Sequence, residues 1–168
     1  MTATQQTTME ATVTEPTLGI QLKMLDPDIE PPSYAHPGDA GADLRARIDV
    51  LIAPGERVLV PTGVSIALPE GYVALIHPRS GLATKHGLTI VNSPGTVDAG
   101  YRGEIAVTLL NTDSAQPISL SRGDRIAQMV IQRVEYAQFL PVEELPDSVR
   151  GSAGFGSTGG FTTTLNKE

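Results

Sequence analysis

A carboxylate able to activate water stands in a long glycine-containing segment, residues 92–104. Asp98 could take a proton from water there and act as a general base. Asn92 and Tyr101 share this segment, although a plain connection between two strands needs neither side chain. A long hairpin remains the simpler interpretation of the segment, and it is compatible with a functional role for Asp98.

A second segment, residues 78–83, combines groups that bind anions. Arg79, Ser80 and Gly81 stand at the predicted start of a short helix, where free backbone amides favour negative charge. An arginine and a hydroxyl beside those amides would complete an anion site. A capped helix with an arginine facing solvent explains the same residues equally well.

Two further segments each place one polar side chain beside a turn. Residues 37–44 favour a turn that enters a strand, and Asp43 there could hold water on a metal ion. Residues 122–128 contain a Gly-Asp turn followed by a surface ion pair. Gln128 ends that segment, either as an edge residue or as a polar group that reaches a site.

The glycine-rich stretch 150–160 is typical of a flexible linker, but consecutive glycine amides can also wrap a phosphate. Arg150 would add charge, Ser157 and Thr158 hydroxyl groups, and Phe155 a face for stacking. The stretch lacks the lysine and the strand–loop–helix setting of a Walker loop.

Strands must position these loops, because short apolar runs rich in β-branched residues recur between turn residues about every ten positions. This spacing predicts an all-β sandwich, jelly roll or barrel. The only predicted helix covers residues 80–85, with Ser80 as its cap. Strands are predicted at 20–24, 57–60, 64–68, 72–76, 88–92, 104–111, 118–120, 124–133 and 138–140.

Composition narrows the function classes. The 168-residue chain has a net charge of −7, which argues against broad binding to nucleic acid or to an anionic membrane. It has no cysteine, so disulfides and a cysteine nucleophile are excluded. His36, His77 and His86 lack metal-site spacing. With no secretory signal or membrane-spanning run in the sequence, we expect a cytoplasmic protein.

Taken in order, these five segments resemble the five motifs of the trimeric dUTPase family, and the resemblance runs from residue 37 to residue 160. It implies a β jelly-roll subunit with one short helix, assembled as a homotrimer with sites shared between subunits. Residues 1–17 are rich in Thr and Gln and lack a periodic apolar pattern, so they are expected to be a disordered leader, followed by the jelly-roll domain at 18–149. Residues 150–168 would form an arm that closes a neighbouring subunit's active site.

The resemblance also implies an activity, the hydrolysis of dUTP to dUMP and pyrophosphate with Mg²⁺. This reaction supplies dUMP for thymidylate synthesis and keeps uracil out of DNA. Asp98 is implied as the general base, Tyr101 as the support for deoxyribose, and Asp43 as the group that orients a water of the magnesium shell. The other implied substrate-binding residues are Asn92, Gly95, Thr96 and Val97 for uracil, Arg79, Ser80, Gly81 and Gln128 for phosphates, and Arg150, Phe155, Gly156, Ser157 and Thr158 from the arm.

Two other classes of protein share parts of this pattern. A dCTP deaminase has a related fold but needs a catalytic glutamate on the strand after the long hairpin, where this chain has Thr108. A non-catalytic jelly-roll binding module would need the strands but not Asp98, Tyr101 and the arm together.

Overall fold

The structure is a computed structural model that describes residues 17–149 and 151–152. The chain divides after Glu135 into two units, and the first contains every helix and strand of the described residues. In chain order these are β1 Gln21–Met24, β2 Ala42–Arg45, β3 Val50–Ile52, β4 Arg57–Pro61, β5 Val64–Ala67, β6 Tyr72–His77, α1 Ser80–His86, β7 Leu88–Ile90, β8 Gly95–Val97, β9 Ala106–Asn111, β10 Ile118–Leu120 and β11 Arg125–Arg133.

The strands form four antiparallel sheets, the largest in the order β2–β11–β6–β8 and the next in the order β4–β9–β7. Smaller sheets pair β1 with β5 and β3 with β10. Strands far apart in sequence, such as β2 and β11, are hydrogen-bonded neighbours, which is the long-range pairing of a jelly roll. The predicted fold class, all-β with one short helix, is confirmed.

Inward-facing aliphatic side chains from these sheets fill one core. Side chains alternate across each strand, so β9 buries Val107 and Leu109 while Ala106 faces outward. Leu44 and Ile52 from β2 and β3 are fully buried in the same cluster. Burial of this apolar surface is the main favourable contribution to folding, and the folded sheets in turn position the loops.

Most predicted strands are present, with three additions and one error. Strands β2, β3 and β8 were not among the predicted ranges: residues 37–44 were interpreted as a turn that enters a strand, and β8 lies within the segment interpreted as a long hairpin. The predicted strand at 138–140 is wrong: these residues lie in the second unit in irregular conformation, and Phe139 and Leu140 are exposed. A strand needs a hydrogen-bonded neighbour, and residues 138–140 pair with no strand of the described chain.

The predicted helix is present and runs to His86, but its cap differs from the prediction. Arg79 is the N-cap and makes no side-chain capping bond, while Ser80 is already the first helical residue. The Arg79 carbonyl accepts the amides of Leu82 and Ala83 at 3.1 and 3.0 Å. Because Ser80 lies inside the helix, its hydroxyl is left for a role other than capping.

A buried asparagine fixes the turn after β9. Asn111 is fully buried, and its Nδ2 donates to the carbonyls of Ile52 at 3.1 Å and Gln116 at 2.8 Å. Its Oδ1 accepts the amide of Asp113 at 2.9 Å. The Asp113 carboxylate in turn accepts the amides of Ala115 and Gln116, which lowers the pKa of that carboxyl below its ordinary value.

Among the helices that the structure describes, none has the length and apolar character needed to cross a membrane.

Candidate active site

A pocket of about 190 Å³ opens beside β8 and the segment that follows it. Its floor is apolar and includes Ile76, Ile90 and Val107, while Asn92 and Asp98 supply polar groups at the wall. An apolar lining with a few polar groups suits an aromatic ring with polar edges. The sequence-predicted residues Asn92, Gly95, Thr96, Val97, Asp98 and Tyr101 all line this pocket.

Strand β8 presents open backbone groups to the pocket. It is the last strand of its sheet and pairs only with β6, Gly95 opposite Ile76 and Val97 opposite Ala74. The amides and carbonyls on its other edge therefore have no strand partner within the described chain. Such groups can hydrogen-bond the edge of a ligand as they would a neighbouring strand.

The hairpin tip holds Asp98 and Tyr101 in a fixed relation. The Tyr101 amide donates to the Asp98 carbonyl at 3.0 Å, and the Tyr101 hydroxyl donates to the Glu104 carbonyl at 2.9 Å. Nη1 of Arg102 donates to the carbonyls of Ala99 and Tyr101 at 2.6 and 2.7 Å. The tip is thus closed by its own hydrogen bonds.

Glu104 anchors this hairpin to the body of the jelly roll. Its carboxylate accepts Nη1 of Arg47 at 3.0 and 3.1 Å and the amide of Gly63 at 2.7 Å. Bonds to an ionised group are stronger than neutral ones, so this contact is suited to fixing the base of the hairpin. Sequence reasoning assigned Glu104 no role beyond ending the segment.

A second, larger cleft of about 800 Å³ gathers the other predicted residues. Asp43 comes from β2, Arg79, Ser80 and Gly81 from the start of α1, and Gln128 from β11. Nε2 of Gln128 donates to the Pro78 carbonyl at 2.9 Å. A β-carbon at Gly41 would lie 2.6 Å from Oε1 of Gln128, so segments 37–44 and 122–128 are in direct contact and a side chain at 41 would require Gln128 to move.

Two arginines bind the carboxylate of Asp43 in this cleft. Nε of Arg79 lies 2.9 Å from Oδ1, and Nη1 of Arg125 lies 3.2 Å from Oδ2. The Asp43 side chain is 12% exposed, so water reaches it poorly. Arg125 was interpreted from the sequence as half of a surface ion pair, and its place beside Arg79 was missed. The sequence signal for this role was that Arg125 lies in the same segment, residues 122–128, as Gln128.

The second cleft is suited to an anion. Its walls carry the cationic side chains of Arg79, Lys85 and Arg125 against the carboxylates of Asp39 and Asp43. His36, His77 and His86 also line it, and none belongs to a group that could hold a metal ion within the described residues. A phosphate chain would find both guanidinium groups and the first amides of α1 on one wall.

The two clefts lie on opposite faces of one sheet. Ile76 lines the first and His77 lines the second, and consecutive side chains of a strand point to opposite faces. The two clefts share no lining residue. The structure therefore brings the predicted residues together as two half-sites rather than one. The predicted arm residues Arg150, Phe155, Gly156, Ser157 and Thr158 lie outside the described residues.

Comparison with known proteins gives one consistent result. The family model described as dUTPase matches residues 28–159, which is most of the chain. The deoxyuridine 5'-triphosphate nucleotidohydrolase of Thermobifida fusca is 68% identical over 144 residues, covering 86% of this chain and 80% of that protein. The enzyme of the same name from Nocardia farcinica is 62% identical over 144 residues, covering 86% of this chain and 87% of that protein.

Solved structures agree with the sequence relatives. The dUTPase of Staphylococcus bacteriophage 80alpha with dUPNHPP superposes with a TM-score of 0.79 at 30% identity, covering 85% of this chain and 99% of that one. A mutant dUTPase from phage phi11 of S. aureus, described with a structural Mg(II) ion, has a TM-score of 0.71 at 27% identity and covers 77% of this chain and all of that one.

Proposed function

The chain belongs to the dUTPase family and hydrolyses dUTP, and we propose that it does so at a composite site in which the two half-sites come from different subunits of a homotrimer. One observation carries the proposal: the base-binding pocket and the anion cleft lie on opposite faces of the sheet that contains β6. We infer that a single nucleotide does not contact both clefts within one subunit. A cyclic trimer can place the pocket of one subunit against the cleft of the next.

The outward face of the β4–β9–β7 sheet supports such an assembly. Leu59 and Val91 are 62% and 50% exposed there, on either side of Thr108. Exposed apolar side chains on a regular sheet face are typical of surfaces that bury against another subunit.

A dCTP deaminase would need a glutamate at the position of Thr108, and the threonine side chain carries no acid.

In the proposed reaction Asp98 takes a proton from the water that attacks the α-phosphorus. General-base assistance of this kind typically contributes about 10²–10⁴-fold. Negative charge grows on the non-bridging oxygens and on the departing pyrophosphate. Arg79 and the amides of Ser80 and Gly81 on the neighbouring subunit would stabilise that charge, and Gln128 would contact the α-phosphate.

Selection of uracil and deoxyribose would fall to the first pocket. Asn92 and the open edge of β8, Gly95 to Val97, can pair with the polar edge of uracil, so that a cytosine would leave buried groups unpaired. Tyr101 would lie under the sugar and leave no room for a 2′-hydroxyl. From the arm, Phe155 would stack on the base, while Arg150, Gly156, Ser157 and Thr158 would contact the phosphates.

The chemistry of the donor set fits a metal ion carried mainly by the nucleotide. Within the described residues no group of acidic or histidine side chains could hold one alone, and Mg²⁺ commonly binds through phosphates, waters and one or two carboxylates. Asp43, in the anion cleft, is the residue that would hold a water of its shell. When bound, the ion would neutralise charge on the triphosphate.

A nucleotide panel tests the proposed function. The purified protein would be mixed with dUTP, dCTP, dTTP or UTP, with magnesium or with EDTA, and pyrophosphate and ammonia would be measured. We expect pyrophosphate from dUTP alone and only with magnesium. Ammonia from dCTP would place the chain with the deaminases, and binding of dUTP without turnover would withdraw the role of Asp98.

A further inference from the structure

One glycine of the hairpin lies directly under the ring of Tyr101. A β-carbon at Gly103 would be 2.5 Å from the Tyr101 hydroxyl oxygen, 2.7 Å from Cζ and 3.1 Å from Cε2. All three atoms belong to one edge of a rigid ring, so no single terminal bond can rotate to relieve the contact. Gly103 is absent from the glycines of positive φ, so it is needed for space and not for backbone conformation.

The ring is held against this glycine by its own hydroxyl group. The Tyr101 hydroxyl donates to the Glu104 carbonyl at 2.9 Å, and the Glu104 carboxylate is bound to Arg47 and to the Gly63 amide. The hydroxyl-bearing edge of the ring therefore lies against the hairpin backbone. Tyr101 as a whole is 45% exposed, and it lines the base-binding pocket beside Asp98.

We propose that Gly103 is a positioning residue that sets the depth of the Tyr101 ring and thereby the discrimination between deoxyribose and ribose. The proposal rests on the sugar-supporting role given to Tyr101 in the proposed function. With glycine at 103 the ring lies low enough to leave room for deoxyribose and not for a 2′-hydroxyl. Any side chain at 103 would push the ring outward into the space of the sugar.

Alanine at 103 should displace the ring by roughly 1 Å, the difference between the contacts above and an ordinary van der Waals distance. Misplacement of this size near the reacting groups can cost about 10²-fold. For Gly103→Ala we expect kcat/KM for dUTP to fall about ten- to hundredfold. The value for UTP should fall further, because the bulkier ribose already lacks room and loses the same space, so the dUTP/UTP ratio rises.

The chain offers a matched control in the same hairpin. A β-carbon at Gly100 would have no atom within 4 Å, and this glycine has no positive φ, so Gly100→Ala should keep both the activity and the dUTP/UTP ratio of the parent. Gel filtration of each variant would verify that assembly is unchanged.

A double-mutant cycle separates an effect through the ring from a general effect on the hairpin. Gly103→Ala would be made in the parent and in Tyr101→Ala, and kcat/KM for dUTP and UTP and the midpoint of thermal unfolding would be measured for all four proteins. We expect alanine at 103 to raise the dUTP/UTP ratio and to lower the midpoint only when the tyrosine is present.

An unchanged ratio in Gly103→Ala, or an equal loss in the Tyr101→Ala background, would overturn the proposal. Failure of the sugar-supporting role of Tyr101 gives a different result: Tyr101→Ala alone would leave the dUTP/UTP ratio of the parent unchanged, whereas the thermal cycle would still report whether Gly103 acts through the ring.

Discussion

Besides holding a water of the metal shell, the carboxylate of Asp43 is expected to orient Arg79 toward the phosphate chain, and Asp43→Asn tests this second role. Asparagine keeps the shape of the side chain and one oxygen acceptor but removes the charge. Nε of Arg79, 2.9 Å from Oδ1, would then face a neutral acceptor, and Nη1 of Arg125, 3.2 Å from Oδ2, would face an amide nitrogen.

The magnitude follows from these contacts. Arg79 keeps its charge, so its bond to the asparagine oxygen stays charge-assisted and only the attraction between the two charges is lost. The loss for this partly buried pair lies between the at most about 1 kcal/mol of an exposed pair and the about 3–5 kcal/mol of a broken buried one, so we expect about 1–2 kcal/mol. The Arg125 side chain is 44% exposed, and exposed ion pairs contribute at most about 1 kcal/mol, so we assign its loss little weight. The expected fall in kcat/KM for dUTP is about five- to thirtyfold.

Steady-state hydrolysis of dUTP at several magnesium concentrations is the assay, with Asp39→Asn as the control. Asp39 lines the same cleft and carries the same charge, but within the described residues its ion-pair partner is His36 and not an arginine. We expect the control to stay within about twofold of the parent, since exposed charges contribute little. Equal activities of the two variants would show that the charge of Asp43 does not orient Arg79. A loss in Asp43→Asn that excess magnesium restores would assign Asp43 to the metal-bound water instead of to Arg79.

Three further predictions address the base, the arm and the fold. Asp98→Asn should bind dUTP as the parent does and lose about 10²–10⁴-fold in kcat, as measured by calorimetry and turnover; parental turnover would exclude Asp98 as the base. Truncation after Val149 should leave a trimer by gel filtration with severely reduced turnover, whereas loss of the trimer would make the arm structural. Asn111→Ala removes three hydrogen bonds of a fully buried side chain and should lower the free energy of unfolding by about 3 kcal/mol in urea titrations; a change below about 1 kcal/mol would contradict the importance of this contact.

The strands with clear alternation were predictable because the pattern of one buried face is local in sequence. β9 is an example, since its burial alternates over six residues, whereas β6 was predictable as a short apolar run between turn residues. β3 and β8 have three residues each, and their pairing with β10 and β6 depends on distant parts of the chain. Residues 138–140 show the opposite error, since their apolar composition resembles a strand but finds no partner among the described residues.

The residue types of the site could be predicted from the loop segments of the sequence, but the arrangement of those residues could not. Asp98 and Tyr101 are close in sequence, so their shared pocket followed from one hairpin. The contact of Asp43 with Arg79 and Arg125 joins β2, α1 and β11. The contact of Gly103 with Tyr101 depends on the orientation of the tyrosine ring. Such contacts come from tertiary packing, which no local pattern specifies.

Mixing two inactive variants tests whether each site combines the pocket of one subunit with the cleft of another. Asp98→Asn damages only the pocket and Arg79→Ala only the cleft, so subunits would be unfolded together at equal amounts, refolded and assayed with dUTP. Random assembly into a cyclic trimer gives an intact pocket and an intact cleft at about one quarter of the sites, so about one quarter of parental activity should return. Activity no higher than the sum of the two variants alone, in mixed trimers verified by mass, would contradict the shared site and place both halves within one chain.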